Sequence, residues 1–169
     1  MNAHVSPGDA PAGLYTAEER IRRDNSVWTL VQGILAPIQF LVFAISVGLI
    51  IHWWMTGAWL MAAHVSVVAK TLTLYAIMIT GSIWEKDVFG AYLFARPFFW
   101  EDMVSMLVLA LHTGYLVALW GGLLGDAQLI ALAVAAYVSY VINAGQFLYK
   151  FRLARISAPS TKGSTEAMA

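Results

Sequence analysis

Cysteine is absent from the 169 residues, which removes disulfide frameworks, thiolate metal sites, iron–sulfur clusters and cysteine nucleophiles. Charge is scarce as well. Asp, Glu, Lys and Arg together make up 12% of the chain, about half the share usual in a soluble domain. Neither sign is in excess, with ten Lys plus Arg against ten Asp plus Glu. A nucleic-acid binder carries a basic surplus, and a disordered chain combines high charge with low hydrophobicity; neither description fits. What is abundant is apolar: 60% of residues are hydrophobic, 13% are aromatic, and the mean hydropathy is +0.69. The composition is that of a membrane protein.

The apolar residues fall into four runs, at about 28–54, 62–84, 102–120 and 127–149, each long enough to cross a bilayer as a helix. Hydrocarbon offers no water to unpaired peptide groups, so isolated apolar runs must be helices rather than open strands. The expected fold is therefore an all-α membrane protein, with four transmembrane helices in an antiparallel bundle over 27–150. Residues 1–26 are polar and lack the basic-then-apolar pattern of a cleaved signal. Within them, Thr16 and Glu19 have the spacing of a capping box, which predicts a short helix. Residues 151–169 are basic at first, then rich in Ser, Thr, Ala and Gly, and read as a disordered tail. No internal repeat and no second domain is visible.

Basic residues orient the bundle. Arg20, Arg22 and Arg23 precede the first run, Lys86 and Arg96 lie between the second and third, and Lys150, Arg152, Arg155 and Lys162 follow the fourth. The connections near 55–61 and 121–127 have neither Lys nor Arg, and a single acid, Asp126. The positive-inside rule then places both termini and the 85–101 connection in the cytoplasm. Nearly all the charge of either sign faces that side.

Inside the spans, polar residues recur at helical spacing. Gln32, Gln39 and Ser46 form one stripe; Glu101, Ser105 and His112 form another; Ser139, Asn143, Gln146 and Lys150 form a third. Such stripes face inward, because a polar group facing lipid has no partner. The amides read equally well as interhelical hydrogen-bond glue. Lys70 lies deep in the second run. It either snorkels towards an end or pairs with an anionic group inside the bundle. His112 is near mid-membrane, suited to a neighbouring amide, to proton transfer or to axial metal ligation.

The stretch 84–102 concentrates the chemistry. Glu85, Asp87, Glu101 and Asp102 are interleaved with Trp84, Phe89, Tyr92, Phe94, Phe98, Phe99 and Trp100. An interfacial aromatic belt explains some of the rings, and a helix N-terminus explains Asp102. Neither explains carboxylates at both edges of an aromatic pocket, where a carboxyl group favours its neutral form and suits general acid work. A flat apolar ligand fits there.

Five segments carry a resemblance: Trp28–Phe43, Gly81–Gly90, Phe98–Asp102, Ala110–Thr113 and Tyr140–Lys150. Over roughly residues 14–155, the chain resembles the 3-vinyl bacteriochlorophyllide hydratase family, also called 2-vinyl bacteriochlorophyllide hydratase or chlorophyllide 3¹-hydratase. The resemblance implies addition of water across the ring-A vinyl group, giving a 1-hydroxyethyl group, in bacteriochlorophyll biosynthesis. It implies no residue roles. For that reaction the residues themselves suggest Glu101 or Glu85 as the acid, with Asp102 positioning water. His112 is a second proton-transfer group or an axial ligand of the substrate's own magnesium. Lys70 or Arg96 pairs with the substrate's propionate. The rings of Trp84, Phe89, Phe98, Phe99 and Trp100 pack on the macrocycle, beside Asn143 and Gln146. No protein-bound metal or cofactor is expected.

The resemblance further implies a multi-pass protein of the bacterial inner membrane, cytoplasmic or intracytoplasmic and photosynthetic, in contact with other pigment-biosynthesis enzymes. Two other readings stay open: a non-catalytic pigment-binding or assembly subunit, and a small haem protein. The second suffers from the unequal depths of His64 and His112.

Overall fold

The computed structural model describes residues 14–156, and among these the chain forms five helices and no strand. They are α1 (Ala17–Asn25), α2 (Val27–Thr56), α3 (Leu60–Phe89), α4 (Phe99–Trp120) and α5 (Asp126–Ile156). The four longer helices are long and apolar enough to cross a membrane.

Local sequence sets their limits. Thr16 caps α1, accepting from the Glu19 N–H while the Glu19 carboxylate accepts from the Thr16 N–H. Ser26 then caps α2 by accepting from the Trp28 N–H. Both α2 and α3 stop at a glycine in the left-handed region, Gly57 at φ 69° and Gly90 at φ 84°, a conformation that costs a side chain about 1–2 kcal/mol. α2 continues through Pro37.

Three helices run past their apolar segments. α3 extends through Glu85–Phe89, and α4 already starts at Phe99, so the connection is only 90–98 rather than 85–101. Helix α5 carries Lys150 and Arg152 and ends at Ile156, where a basic tail is expected from 151. The reason is the same in each case. Apolar content ends where a membrane core would end, but a helix goes on until its backbone is stopped. The remainder of the expected tail, 157–169, and residues 1–13 lie outside the described residues.

Helix α2 packs mainly on α3, and α4 on α5. Gln32 Nε2 donates to Thr80 Oγ1 (2.7 Å), and Trp84 Nε1 to Thr29 Oγ1 (2.9 Å). Across α4 and α5, Ser105 Oγ donates to Asn143 Oδ1 (3.1 Å), and Asn143 Nδ2 to the Glu101 carbonyl (2.9 Å). Large side chains join the two pairs. Tyr137 hydrogen-bonds Ser46 (2.6 Å), Tyr115 bonds His64 Nδ1 (2.7 Å), and Phe43 packs against Tyr137 and Tyr140. Each such bond between membrane helices is worth about 0.6–2 kcal/mol.

Candidate active site at the α3–α4 end of the bundle

Glu85 sits in the last turn of α3, and Glu101 and Asp102 in the first turn of α4. The connection 90–98 brings the two helix ends together, and all three carboxylates become buried. A helix N-terminus favours the two acids on α4. Backbone hydrogen bonds fix the rest. Glu85 Oε2 accepts from the Ala95 N–H (3.2 Å), and Asp102 Oδ2 from the Phe94 N–H (2.7 Å). Phe94 is itself held in the left-handed region at φ 59°, unusual for a bulky residue.

The three acids divide into two kinds. Glu101 Oε2 receives the Lys150 ammonium at 2.6 Å, and the same ammonium donates to the Pro97 carbonyl. Glu101 is therefore a paired carboxylate. Glu85 and Asp102 face each other within hydrogen-bonding reach, and no cation among the described residues forms an ion pair with either.

Aromatic rings wall this group. Phe98, fully buried, meets Trp84, Phe89, Phe147 and Phe151, each with centroids 5.7–5.8 Å away. The outer side is closed by the segment before α2. Tyr15 stacks on Phe89 at 5.7 Å, and Arg22 Nε donates to the Val88 carbonyl at 2.8 Å. Burial pushes the Tyr15 hydroxyl above its ordinary value, against the opposing pull of Arg23. Phe99 and Trp100 stay exposed, as does Arg96.

A family model described as 2-vinyl bacteriochlorophyllide hydratase matches residues 15–153. The chain belongs to the 2-vinyl bacteriochlorophyllide hydratase family. One relative bearing that name, from Cereibacter sphaeroides, is 58% identical over 152 residues, covering 90% of this chain and 94% of the relative. Another of the same name, from Rhodobacter capsulatus, is 56% identical over 155 residues, covering 92% and 90%. No solved structure matches the chain.

Within this hydratase-family bundle, Lys70 and His112 stand apart from the carboxylates. Fifteen residues of α3 separate Lys70 from Glu85, about 22 Å. Lys70 does not reach an end of the bundle, and no acid among the described residues meets it. It is fully buried, its Nζ lies 3.6 Å from the Tyr140 ring centre, and it has no hydrogen-bond partner among the described residues. Buried aromatic faces can hold a cation in this way. His112 is equally buried, with Nδ1 2.8 Å from its own-helix Val108 carbonyl and Nε2 without a partner among the described residues. That bond makes Nδ1 the donor and leaves Nε2 as the acceptor of the neutral ring. Asn143 is tied into the α4–α5 seam, and Gln146 is half-buried with Oε1 unpartnered.

Four contributors escaped the sequence reading. Lys150 was visible at the end of the α5 polar stripe, but its partner lies 49 positions away. Phe147 and Phe151 lie on α5, outside the 84–102 stretch whose composition marked the other rings. Tyr15 carried no signal at all.

Proposed function

We propose that the chain adds water across the vinyl group of a magnesium chlorin or bacteriochlorin, the reaction its family is named for, at the Glu85–Asp102–Glu101 site. The observation that carries this reading is the pairing of the acids. Two facing carboxyls without a cation share one proton, while Glu101 is held in an ion pair with the Lys150 ammonium. One proton donor and one anion lie side by side, as hydration of an alkene requires.

The shared proton goes to the terminal vinyl carbon. Positive charge develops on the adjacent carbon, where the macrocycle delocalises it and the neighbouring carboxylates stabilise it. Water held by Glu101 attacks that carbon, its oxygen forming the new C–O bond. The proton it loses passes through Glu101 to the Glu85–Asp102 pair, so the net change is one water added. Trp84, Phe89 and Phe98 pack on the ring faces with Phe99 and Trp100 at the rim, and Asn143 and Gln146 flank the reacting edge. The scheme uses no protein-bound cofactor, and magnesium arrives as part of the substrate, with His112 Nε2 available as its axial ligand.

The reading extends to the membrane. Contacts between α2 and α3 pair rising with falling residue numbers: 29 with 84, 32 with 80, 46 with 66. They support an antiparallel bundle, and the distribution of basic residues supports cytoplasmic termini in a bacterial inner or photosynthetic membrane. The site then opens on the cytoplasmic side, where other pigment enzymes can exchange substrate with it. Incubation of the purified chain with a vinyl chlorin tests the reading. Gain of the mass of one water, with loss of the vinyl absorption signature, is expected; pigment that binds but stays unchanged would instead indicate a carrier.

A further inference from the structure

Three charged groups of the candidate site, each from a different helix, are tied to the backbone of one short segment. Glu85 comes from α3, Asp102 from α4 and Lys150 from α5. Asp102 Oδ2 accepts from the Phe94 N–H at 2.7 Å, and Glu85 Oε2 from the Ala95 N–H at 3.2 Å. The Lys150 ammonium donates to the Pro97 carbonyl. The segment closes on itself through the Phe98 N–H, which donates to the Ala95 carbonyl at 2.8 Å.

Phe94 decides where the first two N–H groups point, because its φ and ψ lie between them. In an extended chain successive N–H groups point to opposite sides. A left-handed residue turns its own N–H and the next towards one side, forming the concavity that elsewhere cradles anions. Phe94 has φ 59°, which a bulky side chain rarely accepts. Its ring does not explain that conformation. The residue is 39% exposed, and among the described residues its one ring partner is Phe99, with centroids 5.8 Å apart. Strain of this kind persists where the surroundings over-determine it, and here the two carboxyl groups do so.

We infer that Phe94 is a positioning residue for the hydration: its left-handed backbone, not its ring, holds Glu85 and Asp102 face to face. The inference rests on the reading of that pair as the proton source. With residue 94 extended, its N–H and that of Ala95 diverge, and one of the two acids loses its donor. The freed side chain then has other rotamers open to it, and the shared proton no longer lies between two fixed groups. Phe94 touches no reacting atom in this role and acts through the acids.

The test sets backbone preference against side-chain bulk at position 94. Glycine takes a left-handed φ freely, whereas a Cβ-branched residue is a strong outlier there. Phe94→Gly, the conservative change for the backbone, should hold kcat for vinyl-to-hydroxyethyl conversion within about twofold of wild type. Phe94→Val should lower kcat by about tenfold to a hundredfold, as a displaced reacting group does, with KM little changed. A fall in Phe94→Gly as deep as in Phe94→Val would overturn the inference. So would a wild-type kcat in Phe94→Val, or a rise in KM alone in Phe94→Gly, which marks the ring as a substrate contact. Should Phe94→Val fail to fold, the α-hydroxy-acid analogue of phenylalanine at position 94 takes its place. It keeps the ring and replaces the N–H by an ester oxygen, so kcat should fall by a similar factor; an unchanged kcat would overturn the inference. Should the wild-type chain bind pigment without hydrating it, the readout is the infrared carbonyl band of the protonated pair, identified by its loss in Glu85→Gln. That band should stay in place in Phe94→Gly and move in Phe94→Val. A band indifferent to residue 94 overturns the positioning role alone, and a wild-type chain without the band overturns the shared proton and the inference together.

Discussion

At the scale of single residues, the decisive contact is Lys150 with Glu101. The glutamate side chain is 10% exposed and the lysine 25%, so the pair is largely withdrawn from water and its loss leaves an uncompensated carboxylate. Lys150→Met should destabilise the bundle by about 1–3 kcal/mol, seen as a lower thermal midpoint in detergent. Adding Glu101→Gln should recover most of that stability, because the orphaned charge goes with it. A double variant no more stable than Lys150→Met would show that the ion pair is incidental. The acids and rings of this site were visible in the sequence as a cluster, because composition alone marks carboxylates among aromatics. Their division into a paired acid and a facing pair was not. That division depends on which helix lies beside α4, and the answer is a lysine 49 positions further on.

At the scale of elements, hydropathy located the four long helices, since span length and apolar run length obey the same bilayer thickness. The ends needed different physics. Glu85 is helical because α3 stops only at Gly90, whose left-handed φ of 84° a glycine tolerates. The role of α1 depends on tertiary contacts: Tyr15 on Phe89, and Arg22 on the Val88 carbonyl. Nothing local announces either one. Tyr15→Ala should therefore release α1 from the aromatic wall. Amide hydrogen exchange over 17–25 should rise sharply while the exchange of α3 through Val88 changes little. Unchanged protection in α1 would mean that Arg22 and the Thr29–Arg23 hydrogen bond suffice to hold it.

At the scale of the whole molecule, two helix pairs share a seam of tyrosines, with acids gathered at one end and a lone lysine midway. The chain's lack of cysteine makes its orientation directly measurable. Ala58→Cys and Ala91→Cys each place one thiol at an exposed turn, on opposite ends of the bundle. A membrane-impermeant maleimide applied from the periplasmic side should label position 58 and spare position 91; the reverse pattern would invert the topology. The central claim, that Glu85 and Asp102 jointly supply the proton, has its own measurement. Glu85→Gln and Asp102→Asn keep a carbonyl oxygen to accept the Ala95 and Phe94 N–H groups, so the connection stays in place while the shared proton is lost. The initial rate of vinyl-to-hydroxyethyl conversion by each purified variant should fall by about a hundredfold or more, with pigment binding retained. Conversion near the wild-type rate in both would contradict the account.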